Sequence, residues 1–192
     1  MSKKDAERWN TRYLQDERYA TFSRPRPFLV ENARFLPAHG LALDVAMGLG
    51  GNAEFLLEHG LRVVGIDISS VAARQAKARQ PGLMAVIGDL TSFYIPPISF
   101  DVILNFYFLQ RELWPLYRSA LRPGGVLFLE TLTQEMLRLQ PDTDPAYLLA
   151  PNELRQAFAG WEILVYKEGW EESRGGRMHP VASLVARVPK SS

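Results

Sequence analysis

Cysteine is absent from all 192 residues, which excludes disulfide frameworks, a thiol nucleophile and cysteine-based zinc sites together. Histidine is scarce: His39, His59 and His179 lie far apart in the chain, a spacing that gives little support to a metal centre, so no metal is expected. No apolar run approaches the roughly 20 residues that a membrane-spanning helix requires, and the opening M-S-K-K-D-A-E lacks the apolar stretch of a secretory signal. A cytoplasmic protein without a membrane partner is the expectation. An excess of one charge is also missing: the formal net charge of +1 argues against a strongly nucleic-acid-binding surface and for a small-molecule partner. No repeat or low-complexity tract interrupts the chain, and its length suits a single domain over 1–192. Oligomeric state is not specified by any of these features.

What the chain has is an alternation of apolar runs and helical patterns. Strands are expected at Leu41 to Ala46, Arg62 to Asp67, Leu83 to Ile87, Phe100 to Phe106 and Val126 to Thr131, mostly as continuous apolar stretches of the kind buried on both faces of a parallel sheet. The segments between several of them are long enough for crossover helices, among them Ala53 to His59 ending at Gly60, and Val71 to Arg79 capped by Ser69 or Ser70. A further helix follows Gln110, and Pro123-Gly124-Gly125 turns the chain into the fifth strand. Pro151 suits the first turn of a helix leading to Phe158. Trp161 to Glu168 and Val181 to Val188 are joined by the polar stretch Gly169 to Met178, too short for a substantial crossover helix, so an antiparallel pair is expected there. The fold class is therefore α/β: a Rossmann-like, mostly parallel sheet with helices on both faces and a C-terminal antiparallel strand pair. Residues 1–40 hold two helices, roughly Asp5 to Leu14 and Phe28 to Leu36, which either cover the ligand crevice or cap the sheet.

Functional signals fall where strands end, and in open α/β sheets ligands gather beyond those carboxyl ends. The run L-A-L-D-V-A-M-G-L-G-G-N from Leu41 to Asn52 closes the first strand in a glycine-rich turn and opens a helix whose first N–H groups have no partner within it. Gly48, Gly50 and Ala53 satisfy the dinucleotide fingerprint, and Asp67 ends the second strand about 20 residues on, spaced to hold ribose hydroxyls. This local pattern does not separate NAD from an adenosyl ligand. A turn without a ligand and a strand-end carboxylate are the structural alternatives. Asp89-Leu90 follow the third strand, where Asp89 also suits an Asx turn, and Asn105 to Tyr107 end the fourth.

Across Phe28 to Val188 the order of these pieces resembles class I S-adenosylmethionine-dependent methyltransferases. The likeness rests on Asp44 at the head of the glycine motif, an acid ending the second strand, an acid after the third, L-R-P-G-G-V-L-F-L-E before the fifth, and a final antiparallel pair. Within that family the chain is similar to the tellurite-resistance, TehB-like group of small methyltransferases. The stretches that carry this likeness are W-N-T-R-Y at Trp9 to Tyr13, R-P-F-L at Arg26 to Leu29, Y-L-L-A-P-N-E-L at Tyr147 to Leu154 and W-E-I-L-V-Y-K-E-G at Trp161 to Gly169. Ala46 departs from the pattern by standing in the first-glycine place, and Met47 stands where the group often has cysteine. The resemblance implies an enzyme using S-adenosyl-L-methionine to methylate a small molecule, such as a thiol, a metalloid or another soft nucleophile. It implies that Asp44, Ala46, Gly48, Gly50 and Gly51 hold the aminoacyl side of the cofactor and that Asp67 binds the ribose. Ile68 and Leu90 would pack on the adenine, Asp89 would accept from its amino group, and Asn105 to Tyr107 would border the sulfonium.

No catalytic residue is assigned, because methyl transfer from a sulfonium asks chiefly for alignment and exclusion of water. Tyr107, at a strand end, is the candidate for substrate positioning. Tyr13, Arg24, Arg111, Tyr147 and Arg177 are the other substrate-facing candidates, the arginines as oxyanion holders, each against a plainer role in packing or solvated charge. His179 beside Pro180 is close enough in sequence to the final hairpin to reach the rim, with loop structure as the alternative. Residues 133–149, broken by Pro141 and Pro145, suggest a lid. Two rival functions remain: a non-catalytic adenosylmethionine-binding sensor or partner protein, and an NAD-dependent oxidoreductase. The latter is disfavoured by the P-G-G strand entry, the terminal hairpin and the lack of a second substrate domain.

Overall fold

Strand order explains why the strand ends meet. The structure, a computed structural model, describes residues 3–16, 22–172 and 176–190. The strands are β1 (Gly40–Val45), β2 (Leu61–Asp67), β3 (Met84–Ile87), β4 (Phe100–Phe106), β5 (Leu121–Leu132), β6 (Glu162–Glu172) and β7 (Met178–Arg187). They form one sheet in the order β3-β2-β1-β4-β5-β7-β6. The first five run parallel, while β7 inserts antiparallel between β5 and β6. The chain reverses direction across the sheet between β1 and β4, and a crevice opens at such a switch point.

The helices are α1 (Lys3–Gln15), α2 (Pro27–Glu31), α3 (Gly51–Glu58), α4 (Ser70–Arg79), α5 (Trp114–Ala120) and α6 (Glu153–Ala157). On one face of the sheet Phe28 and Leu29 of α2, Leu56 of α3 and Ala76 of α4 pack on Ala42, Val63, Leu104 and Phe128. On the other, Tyr117 of α5, Leu154 of α6 and Phe158 pack on Leu43, Ile103, Leu127 and Leu184. Phe128, Phe158 and Leu43 are fully buried, each side chain contributing roughly 1.5–3 kcal/mol by leaving water. This two-sided burial is why the central strands read as unbroken apolar runs.

Several boundaries differ from the sequence reading for local reasons. The helix expected over Phe28 to Leu36 breaks at Asn32, whose amide donates to the Phe28 carbonyl at 2.9 Å; a short 3-10 turn, Ala33–Phe35, follows. Pro151 lies outside α6, which is preceded by Asn152 in the left-handed region at φ 59°. β5 starts at Leu121 and absorbs Pro123-Gly124-Gly125, with its register against β4 shifting between Phe100 and Val102. β3 lies at the sheet edge, so Met84 and Ile87 are exposed rather than buried. Part of the expected connection Gly169 to Met178 is itself paired: Gly169 opposes Val181 and Glu172 opposes Met178. Its residues 173–175 lie outside the described set. No described helix is long and apolar enough to cross a membrane.

Candidate functional site

The glycine turn is stitched to the end of β2. Met47 N–H donates to the Ile66 carbonyl at 3.0 Å, and Gly48 N–H donates to Asp67 Oδ2 at 2.8 Å. The other carboxylate oxygen, Oδ1, accepts from Ser69 N–H at 2.8 Å. Asp67 is thus a buried carboxylate joining two loops, and burial pushes its pKa up against the lowering effect of those N–H groups. Gly48 and Gly50 have φ of 55° and 74°, a region open to glycine at little cost. Ala46 also sits there, at φ 52°, so the position that departs from the glycine pattern carries backbone strain of roughly 1–2 kcal/mol. Asp44, 1% exposed, lies on β1 opposite Gly65 and Leu104 of the flanking strands.

Across the rim, Asp89 forms the Asx turn that its sequence allows: its Oδ1 accepts from Thr91 N–H at 2.9 Å and from the Thr91 hydroxyl at 2.7 Å. Leu90 is buried beside it and Ile68 half-buried. Asn105, at the end of β4, donates through Nδ2 to the hydroxyl of buried Tyr117 at 2.8 Å, while its own buried Oδ1 has no hydrogen-bond partner among the described residues. Burial pushes the Tyr117 phenol far up, so it acts as a neutral hydrogen-bonding prop. An unmet carbonyl oxygen at the switch point is suited to face a cation. Tyr107 follows at φ 58°, a strained conformation of the kind that gathers at functional sites.

The N-terminal segment touches two of these loops. Asn10 of α1 accepts at Oδ1 from the Ser69 hydroxyl at 2.7 Å and from Val71 N–H at 3.2 Å, while Ser69 itself caps α4 by accepting from Ala72 N–H. Tyr13 stands against the glycine turn: a Cβ on Gly48 would lie 2.7 Å from its hydroxyl. A Cβ on Gly51 would collide with the Arg24 carbonyl, so glycine there admits a close chain crossing. The crossing is fixed by Arg26 N–H donating to Asn52 Oδ1 at 2.9 Å. These contacts put α1 beside the crevice.

Arg26, not chosen as a site residue from the sequence, is only 6% exposed. Its guanidinium lies 3.9 Å from the Tyr107 ring centre and 5.4 Å from that of Phe22. Burial lowers its pKa, opposed by electrostatic interaction with Tyr107, Glu130 and Tyr13. Beside it opens a narrow cleft bordered by Arg26, Phe28, Tyr107, Glu130, Lys167 and Ser183, with further acids on its lip. Nothing local in R-P-R-P-F-L announces a buried arginine, since its burial depends on chain segments distant in sequence. His179 belongs to β7, opposite Glu171, rather than to an irregular loop; burial, then Arg177 and Arg26, hold its pKa below the ordinary histidine value.

The other substrate candidates diverge. Arg24 and Arg177 are exposed, and Tyr147 is 63% exposed in the 3-10 turn Pro145–Tyr147. Arg111 is committed elsewhere, so the oxyanion role expected for it gives way to a structural one. Its Nε and Nη2 pair with Glu153 at 2.5 and 2.9 Å, and its Nη atoms donate to the Ala146 and Leu148 carbonyls. The lid expected at 133–149 is tied down by that clamp and by the Thr133–Leu149 bridge. The described residues contain no group of three or more His, Asp or Glu arranged to hold a metal ion.

Residues 42–125 match the family described as Methyltransferase domain. A Methanosarcina mazei S-adenosylmethionine-dependent methyltransferase superposes with a TM-score of 0.68 at 20% identity, covering 84% of this chain and 98% of that one. The chain has the class I methyltransferase fold. TehB from Haemophilus influenzae shares this methyltransferase fold with a TM-score of 0.68 at 19% identity, over 83% of this chain and 61% of TehB. A Mycolicibacterium smegmatis protein named "Probable S-adenosylmethionine-dependent methyltransferase" is 30% identical over 95 residues, 46% of this chain and 37% of that protein. The aligned stretch spans less than half the length of each curated relative that the chain matches.

Proposed function

We propose that this methyltransferase-fold chain binds S-adenosyl-L-methionine and transfers its methyl group to a small-molecule acceptor. The observation that carries the reading is the buried Asp67 carboxylate bridging the glycine turn and the start of α4. A carboxylate has about four acceptor positions, so two N–H bonds leave room for ribose hydroxyls. In this reading Asp44, Ala46 and the Gly48, Gly50 and Gly51 turn hold the aminoacyl end. Ile68 and Leu90 sandwich the adenine, Asp89 meets its amino group, and the Asn105 oxygen faces the sulfonium. Tyr107 borders the acceptor.

The bound sulfonium supplies a methyl group already activated toward attack. The chain's own work is then to align the acceptor and keep water out, for which the crossing at Gly51 and the Tyr13 contact provide walls. A soft nucleophile, such as a thiolate or a reduced metalloid anion, needs no proton-removing residue and is the acceptor class proposed. Titration calorimetry with S-adenosylhomocysteine and with NAD tests the cofactor: binding of the former is expected, and binding of NAD alone overturns the reading. Transfer of labelled methyl to a panel of thiols and metalloid anions tests the reaction. Tight cofactor binding with no transfer to any of them would make the chain a sensor instead.

A further inference from the structure

We propose that Arg26 forms a carboxylate-binding subsite, so that the acceptor carries a single carboxylate handle in addition to its methyl-accepting atom. The claim deepens the acceptor reading above and rests on it. A guanidinium is rarely buried unless paired, yet the buried Nε of Arg26 has no hydrogen-bond partner among the described residues. Its face is satisfied by Tyr107, an interaction worth about 1–2 kcal/mol, but stacking uses the π face of the ring and leaves the in-plane Nε–H of the fork unanswered. A planar carboxylate matches that fork through two parallel hydrogen bonds.

The surroundings narrow the class. Two cations, Arg26 and Lys167, border the cleft with four acids, Glu31, Glu130, Glu171 and Glu172. Lys167 is already 3.6 Å from Glu31. A dianionic phosphate or a polycarboxylate would meet this acidic border, whereas one carboxylate reaching Arg26 meets the cation first. Because its oxygens are held by the fork, that carboxylate positions the acceptor and another atom attacks the methyl group. Tyr107, under the guanidinium and at the end of β4, then links the handle to the place where the nucleophile sits.

The test uses three probes with the same thiol and different ends: 3-mercaptopropionate, its amide and 2-mercaptoethylamine, with citrate as a polyanion. The Nε–H resonance of Arg26 is followed by NMR in 15N-labelled protein, with and without saturating S-adenosylhomocysteine. Mercaptopropionate is expected to shift it saturably and to bind at least tenfold tighter than the amide, the amine or citrate. With the same affinities measured by titration calorimetry, R26K, which keeps the charge without the fork, should reduce that preference several-fold, and R26Q should abolish it. Equal binding of the amide, tighter binding of citrate, or an unchanged preference in a folded R26Q protein overturns the proposal. If S-adenosylhomocysteine fails to bind while mercaptopropionate still shifts Arg26, the cofactor reading fails and the subsite stands. The reverse result removes the subsite alone.

Discussion

Ala46 and Gly48 lie two residues apart in the same turn with nearly the same φ, 52° and 55°, yet only one of them is a glycine. The left-handed region costs an alanine roughly 1–2 kcal/mol, whereas the glycine replacing it loses about 0.4–1 kcal/mol through greater freedom of the unfolded chain. A46G should therefore stabilise the protein by about 0.5–1 kcal/mol, raising the melting temperature by about 2–4 °C per kcal/mol for a chain of this size. G48A should act oppositely and cost more, since its Cβ meets the Tyr13 hydroxyl as well as the backbone strain. Thermal unfolding of the two variants checks both signs. The placement of the glycine turn and of Asp67 at strand ends was legible because glycines and strand-end acids announce themselves locally. Arg26 was not, because burial of a guanidinium is decided by α2, β4 and the cleft together, and no spacing in the sequence encodes that meeting.

At the scale of elements, the parallel strands and the hairpin could be read from the sequence because burial on two faces leaves an unbroken apolar signature. The extension of the hairpin could not, since its outer residues Glu171 and Glu172 are exposed and polar while still pairing in the ladder. The same limit applied to residues 133–149, where irregularity suggested a lid but Arg111 fastens the segment. Four donations from one guanidinium, two of them to a carboxylate, make this clamp geometrically specific. R111Q should cost less than the about 1.5–3 kcal/mol typical of hydrogen bonds to charged groups, because the pair is partly exposed. The Arg111 guanidinium holds the Glu153 pKa below the usual glutamate value. Below its ordinary pKa the unfolded state binds more protons, so this stabilisation is present above that value and is lost as pH falls toward the depressed folded one. Urea unfolding of wild type and R111Q at neutral pH and near pH 3 should accordingly show a gap that narrows on acidification; a constant gap would separate the clamp from Glu153 ionisation.

At the scale of the whole molecule, the N-terminal helix decides whether the crevice is covered or the sheet merely capped. α1 has no buried residue, so packing alone holds it weakly and local opening should be cheap. Contacts from it lead to the site: Asn10 to the start of α4 and Tyr13 to the glycine turn. If α1 covers the adenosyl ligand, opening must release that ligand, and a concentration of 100 times Kd adds about 2.7 kcal/mol to the opening cost. Saturating S-adenosylhomocysteine should then slow amide exchange in residues 3–15 by roughly 100-fold. N10A, which removes two acceptor contacts, should speed ligand dissociation several-fold, consistent with about 1 kcal/mol per hydrogen bond. Protection that appears around Gly48 and Asp67 but leaves 3–15 unchanged would separate the helix from the ligand. The same helix would then serve only to cap α4 through Asn10, and the crevice would need its cover from the Arg24–Arg26 crossing instead.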